Sequence, residues 1–361
     1  MSGGRGADLL ASAAELVAIP SLSHEERLLA DHVEAALRSQ GRLEVSRLGD
    51  NVVARTQLGR EDRLVLAGHL DTVPANGNAM PRVSDGILWG LGAADMKGGL
   101  AVMLDLAASL GEPACDFSLV FYVAEEVARA DNGLLALASS RPELLEGSAA
   151  IVCEPTACAV EAGCQGVLKA EVMMSGARAH VARPWRGRNA LHRLGPVLAA
   201  LDGWAPRRPE IEGCTYQESL QAVGVSGGVA ANVVPDRATV ELNYRFAPDR
   251  DPAGAAAYLG GMVAGWLEDG DSFEVTDSAP AAPPSLHHPA LAALVAASGR
   301  PVVAKLGWTD VAFFAERAVP AANFGPGDPE LAHAACEHVT AAALERARLV
   351  LGQVLAGRGA R

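Results

Sequence analysis

With 361 residues, half of them hydrophobic and a fifth charged, the chain is long enough for two domains with sizeable cores and carries no signature of disorder. A formal net charge of -13 and a pI near 5.2 argue against nucleic acid and anionic membrane surfaces, which need basic patches, and leave a small-molecule substrate as the expectation. No window approaches membrane-spanning length, and the start, an amphipathic stretch with acids from Asp8 to Glu15, lacks an apolar signal core, so a cytoplasmic protein is expected.

Residues 7–40 carry helical apolar spacing (Leu9, Leu10, Leu16, Val17, then Leu28, Leu29, Val33, Leu37), with Ser23-His24-Glu25-Glu26 reading as a helix start. Strands at 51–56 and 64–68, a glycine-rich passage at 86–92, a helix over 97–110, and strands at 117–124 and 149–153 give a strand-helix alternation of the doubly wound α/β type. From about Val167 the pattern changes to strands of alternating apolar and polar residues at 168–174, 221–225 and 238–246, with helices at 189–201 and 252–267. That reads as a small α+β domain with one solvated sheet face. The proline-rich 279–284 is a hinge back to the first domain, whose sheet is completed by 302–304, 321–324 and a long final helix. The expected organisation is a discontinuous α/β domain, 1–166 and 280–361, interrupted by an α+β domain at 167–279.

Hard metal ligands stand at or just after the apolar, β-prone runs: His69, Asp71, Asp95, the pair Glu125-Glu126, Glu154, and downstream His333. An open α/β sheet presents its active-site residues at such strand ends. Zinc takes nitrogen and oxygen ligands from these residue types, and a carboxylate can bridge two ions. Leu64 to His69 delivers a histidine from a buried strand, with Asp71 placed to hydrogen-bond it from behind and fix its tautomer. Asp95 follows glycines and opens a helix, a position suited to a bridging carboxylate. Glu125 and Glu126, adjacent on an extended segment, point to opposite sides, so one can bind metal while the other acts on water. Cys115, Cys153, Cys158, Cys164, Cys214 and Cys336 have no paired spacing and are expected as free thiols. Gly92 and Gly98-Gly99 lack the sequence of a phosphate loop, which argues against nucleotide binding.

These residues resemble the dinuclear zinc amidohydrolases that include aminoacylases, acetylornithine deacetylase, glutamate carboxypeptidases and succinyl-diaminopimelate desuccinylase. The resemblance spans Gly68 to Val339. Phe121-Tyr122-Val123-Ala124-Glu125-Glu126-Val127 with Asn132-Gly133-Leu134, Glu154-Pro155-Thr156, and 307–314 (Gly-Trp-Thr-Asp-Val-Ala-Phe-Phe) look most like the actinobacterial succinyl-diaminopimelate desuccinylases. The resemblance implies a zinc-peptidase-like catalytic domain with a mixed sheet and an inserted lid that dimerises. It implies two zinc ions per subunit, with cobalt able to substitute: His69, Asp95 and Glu154 hold one, and Asp95, Glu126 and His333 the other. Glu125 becomes the general base. His180, in Ser175-Gly176-Ala177-Arg178-Ala179-His180, and Asn232 are implied to reach the active site of the other subunit of a homodimer, and Arg245 to take a substrate carboxylate. Thr309 is a further substrate-binding candidate, Thr309-Asp310 being equally a helix cap. One departure is Ala124, where many relatives have an acid.

The implied reaction is hydrolysis of N-succinyl-LL-2,6-diaminopimelate in lysine and cell-wall precursor synthesis. Acetylornithine deacetylation, or another N-acyl-amino-acid deacylase or metallo-carboxypeptidase activity, is the alternative. Peptidases of the family tend to carry Asp where this chain has Glu154, which favours the deacylase. A non-catalytic zinc-binding scaffold has no need of Glu125. Lys169, Arg178 and Arg183 are the candidates for reading a succinyl carboxylate.

Overall fold

The structure, a computed structural model, describes residues 3–357. Its contacts divide the chain into two compact units. The first comprises 1–163, 284–303 and 310–361, and the second 164–283 and 304–309. Residues 304–309, expected with the first domain, thus pack with the second, and so does Thr309.

In the first unit a mixed sheet runs in the order Glu44–Leu48, Asn51–Arg55, Asp116–Tyr122, Arg63–His69, Ala149–Val152, Ala321–Asn323, Glu161–Ala162. Arg63–His69 is parallel to both Asp116–Tyr122 and Ala149–Val152, and Ala321–Asn323 is parallel to Ala149–Val152. Every residue of Asp116–Tyr122 and Ala149–Val152 is buried, as expected of parallel strands covered on both faces. Leu64, Leu66, Leu119 and Ile151 face a core shared with the helices Gly3–Ala18, Arg27–Arg38, Gly98–Ser109 and Ala341–Leu355. On the other face Val311–Ala315 packs against Ala149–Val152 and Ala321–Asn323. The second helix begins at Arg27, later than its acidic lead-in suggests. Glu26 makes no side-chain cap because its carboxylate is buried and turned to the Ala124 N–H.

The second unit is a four-stranded antiparallel sheet in the order Ser219–Gly227, Arg237–Phe246, Gly166–Ser175, Ser272–Ala279. Leu168, Ala170, Val172 and Met174 alternate inward with Val240, Leu242 and Tyr244 and pack with Val197 of Gly195–Asp202 and Leu259 of Pro252–Val263. The helix expected over 189–201 is two pieces, Ala190–Arg193 and Gly195–Asp202, because Gly195-Pro196 removes an interior N–H donor and restarts the helix with proline in its first turn. The 252–267 helix ends at Val263 and tightens into a 3₁₀ turn, Ala264–Trp266. Asp271, its carboxylate out of solvent, accepts two hydrogen bonds from Arg193 and others from the Ser175 and Glu268 N–H groups. None of the six cysteines forms a disulfide.

Candidate active site

Three of the parallel strands of the first unit end in a candidate ligand. His69 is the last residue of Arg63–His69, Glu125-Glu126 follow Asp116–Tyr122, and Glu154 follows Ala149–Val152. This is the carboxyl-end crevice of an open α/β sheet.

The buried His69 ring is fixed from behind. Its Nδ1 lies 3.0 Å from the Asp71 carbonyl oxygen and 3.5 Å from the Asp71 carboxylate, which turns Nε2 toward Asp95 Oδ1 at 3.0 Å. The sequence suggested the Asp71 carboxylate for this contact; the backbone carbonyl makes the shorter one. The carboxylate has other partners. Oδ1 accepts the Glu125 N–H, and Oδ2 accepts the Glu126 N–H, both at 3.0 Å, and the Ser23 hydroxyl at 2.8 Å. Burial alone would raise the Asp71 pKa, but the His69 hydrogen bond and charge and these two N–H groups hold it well below the usual carboxylate range.

Ala124, just before the pair, has φ 58°. That left-handed conformation costs an alanine roughly 1–2 kcal/mol and turns the chain so that both glutamates leave the strand end. The Ala124 N–H donates to Glu26 Oε1 at 3.0 Å. Two buried acids thus hold three consecutive N–H groups, 124 to 126.

Asp95 lies in a kinked turn, Ala93–Lys97, entered through Gly92 at φ 78° and followed by a cis peptide to Met96. Its two oxygens face different histidines: Oδ1 is 3.0 Å from His69 Nε2, and Oδ2 is 3.7 Å from His333 Nε2. His333, half-exposed, also contacts Glu126 Oε1 at 2.8 Å. Ligand atoms of His69, Asp95 and Glu126 lie within 4.8 Å of one another. Glu154 is buried at its strand end, and its charge acts on Glu125. Gly325 and Gly327 fit the chain against these ends: a Cβ on Gly325 would sit 2.4 Å from the Glu154 carbonyl, and one on Gly327 2.3 Å from that of Ala94.

The electrostatics are those of a cation site. Burial pushes the Glu125 carboxyl well up against the pull of His69, and the charges of Glu154, Asp310 and Glu126 push it further. The hydrogen bond to Glu126 brings His333 up to about 9. His69 is raised too, by Asp71 and Asp95, although burial opposes it. Asp95 and Glu126 converging on the His69 and His333 imidazoles fit a divalent cation in nitrogen and oxygen coordination.

Sequence reasoning did not single out Glu26, and it gave Asp310 no partner. Asp310, buried, accepts the Asn132 side-chain amide at 2.9 and 3.1 Å, while Asn132 Oδ1 caps the helix Gly133–Ser140 through the Leu134 N–H. Burial raises the Asp310 pKa against that amide. For Asp310 the available signal was a polar side chain beside the apolar run 311–314; Glu26, within Ser23-His24-Glu25-Glu26-Arg27, carried none.

The remaining predicted residues belong to the second unit. The Ala182 N–H donates to His180 Nδ1, and His180 bridges to Val233 beside Asn232. Arg245 donates from Nε to Asn243 Oδ1, and the Thr309 carbonyl accepts from Cys164 Sγ.

The pattern of peptidase family M20/M25/M40 matches residues 65–356, which holds every site residue predicted from the sequence, though not Ser23 or Glu26. The chain belongs to that family. Among its relatives in M20/M25/M40 are a putative succinyl-diaminopimelate desuccinylase of Mycobacterium tuberculosis, 50% identical over 95% of this chain and 97% of the relative, and the succinyl-diaminopimelate desuccinylase of Corynebacterium glutamicum, 44% identical over 88% of each. The fold is similar to that of a Staphylococcus aureus tripeptidase, with a TM-score of 0.80 at 20% identity over 98% of both chains. Among the described residues no helix is long and apolar enough to cross a membrane.

Proposed function

We propose that this M20 chain is a metal-dependent amide hydrolase that converts N-succinyl-LL-2,6-diaminopimelate and water to LL-2,6-diaminopimelate and succinate in the cytoplasm. The observation that carries the chemistry is Asp95, whose two oxygens face His69 and His333 separately, as a bridging ligand requires. The substrate rests on the desuccinylase relatives at 50% and 44% identity.

His69, Asp95 and Glu154 would hold one ion and Asp95, Glu126 and His333 the other, both zinc by the donor set, with cobalt able to substitute. Two such ions supply Lewis acidity to the scissile carbonyl and to the attacking water. Glu125 does the proton work. Its carboxylate, next to the ligand Glu126, would take a proton from water as the oxygen adds to the amide carbon, then return it to the departing nitrogen as the C–N bond breaks. Asp71 holds the Glu125 and Glu126 backbone while fixing the His69 tautomer.

The second unit is read as a lid through which two copies dimerise, with His180 and Asn232 serving the other subunit's site. In support, Ser219–Gly227 is an edge strand with exposed Val223 and Val225. Arg245 and Thr309 would contact the substrate. Of the three basic candidates for the succinyl carboxylate, Lys169 is paired with Asp277 and Arg178 with Asp236, whereas Arg183 makes no ion pair among the described residues. Arg183 is therefore assigned that contact. The test is amine release by the metal-loaded protein from the succinyl substrate and, in parallel, from N-acetylornithine. Preference for the succinyl substrate, lost in Arg183→Ala, is expected; preference for the acetyl substrate would overturn the assignment.

A further inference from the structure

The loop that carries Asp95 has an acceptor far away in the chain. Glu337, 1% exposed, lies four residues after His333. Its Oε1 accepts the N–H groups of Ala94 at 2.9 Å and Asp95 at 3.0 Å, and its Oε2 accepts that of Gly92 at 3.1 Å. These are N–H groups of a turn whose residues at 95 and 96 depart from helical geometry, so helical hydrogen bonding does not dictate their orientation. The same residue also joins the two ligand segments through its backbone. The Glu337 carbonyl accepts the Gly90 N–H, and the Glu337 N–H donates to Ala334 O, which also receives the Asn78 side-chain amide. His338–Thr340, immediately after it, pairs with Ile87–Trp89, immediately before the loop. The Glu337 charge acts in turn on the buried Lys97, which donates to Ile19 O at 2.7 Å.

We propose that Glu337 is a positioning residue: by gathering the Gly92, Ala94 and Asp95 N–H groups from a point four residues beyond His333, it fixes the Asp95 carboxylate between His69 and His333. Glu337 touches neither substrate nor ion. The role rests on the metal-centre reading above. Three donors on two oxygens need both an anion and full side-chain reach. A glutamine has the reach but would turn an N–H donor onto at least one loop N–H. An aspartate keeps the charge but is one methylene too short.

The test titrates Zn²⁺ and Co²⁺ into metal-free wild type, Glu337→Gln and Glu337→Asp, with melting of each metal-free protein alongside. Both variants are expected to bind the ions 10–100-fold more weakly, the range for removing a group that orients a ligand, and to lose kcat with KM little changed. A purely structural role predicts a lower melting temperature with unchanged affinity in the folded fraction, which would overturn the proposal. So would wild-type affinity in Glu337→Asp, since charge alone would then suffice. Should neither variant fold, amide exchange in wild type decides: Ala94 and Asp95 protons slow with and without metal support the role, and fast exchange refutes it. If wild type itself bound no ions, or bound them unchanged after Asp95→Asn, the metal-centre reading would fall and this role with it. Failure of the Glu337 variants alone to weaken binding would leave the metal centre standing.

Discussion

Replacing Asp71 by asparagine tests the positioning of the glutamate pair, because the change keeps the volume and alters only charge and donor count. The carboxylate receives three donors on two oxygens: the Glu125 N–H, the Glu126 N–H and the Ser23 hydroxyl. In its better orientation the amide oxygen serves Glu126 and Ser23, and its NH₂ then faces the Glu125 N–H. A buried N–H left without an acceptor costs roughly 1–3 kcal/mol, and exchanging an anionic for a neutral acceptor at the other two contacts costs roughly 1 kcal/mol each. Burying an amide rather than an anion offsets part of this, leaving a loss of about 2–4 kcal/mol. That corresponds to a fall in melting temperature of about 5–15 °C for a domain of this size. Because the unsatisfied N–H belongs to Glu125, kcat should fall about 10–100-fold, the range for groups that support a ligand or base. Differential scanning fluorimetry and steady-state kinetics on metal-loaded protein would measure both. A melting temperature within 2 °C and kcat within about twofold of wild type, about 0.4 kcal/mol in the barrier, would refute the argument.

Three further outcomes are expected. Glu125→Gln should retain its metal content by elemental analysis yet lose about 10²–10⁴ in kcat, the contribution of a positioned general base. Gly325→Ala should cost about 1–3 kcal/mol in chemical denaturation and weaken metal binding, because the new Cβ presses on the Glu154 carbonyl, which cannot swing aside. Asp271→Ala should cost about 3 kcal/mol by taking from Arg193 its two-oxygen partner, which leaves the longer contact to Glu268 at 3.4 Å and the Ser175 and Trp266 carbonyls. Burial would raise the Asp271 pKa, but Arg193 and the Ser175 and Glu268 N–H groups depress it below its unfolded value. Its contribution is therefore full above about pH 4 and is lost as the pH falls further, so melting from pH 6 to pH 2 should show a steeper decline in wild type than in Asp271→Ala.

What the sequence made legible was local. An apolar run followed by a hard ligand picks out His69, Glu125-Glu126 and Glu154 as candidates, because the strand and the residues at its end are contiguous. The structure brings His69, Asp95, Glu126 and His333 together. The supports were not legible. Glu337 serves N–H groups some 240 residues away, and main-chain donors have no residue identity to read. The Asp71 carboxylate could be foreseen as a histidine partner by spacing, but not as the acceptor for two N–H groups in the segment that follows a neighbouring strand. Ala124 gave no hint of its left-handed backbone, since alanine is an ordinary residue in either a strand or a helix. The break at Gly195-Pro196 was readable in principle and was overridden by the apolar periodicity on either side.

The short strand Ala321–Asn323 lies between Ala149–Val152 and Glu161–Ala162. During synthesis the ribosome must therefore make the whole of 164–283 before the strand that covers the buried, all-apolar Ala149–Val152 exists. At the usual pace of translation that edge waits roughly ten to thirty seconds with its backbone donors and acceptors unpaired, open to another nascent chain. Expression yield and chaperone dependence should accordingly respond to what happens at this edge more than to the stability of the finished protein.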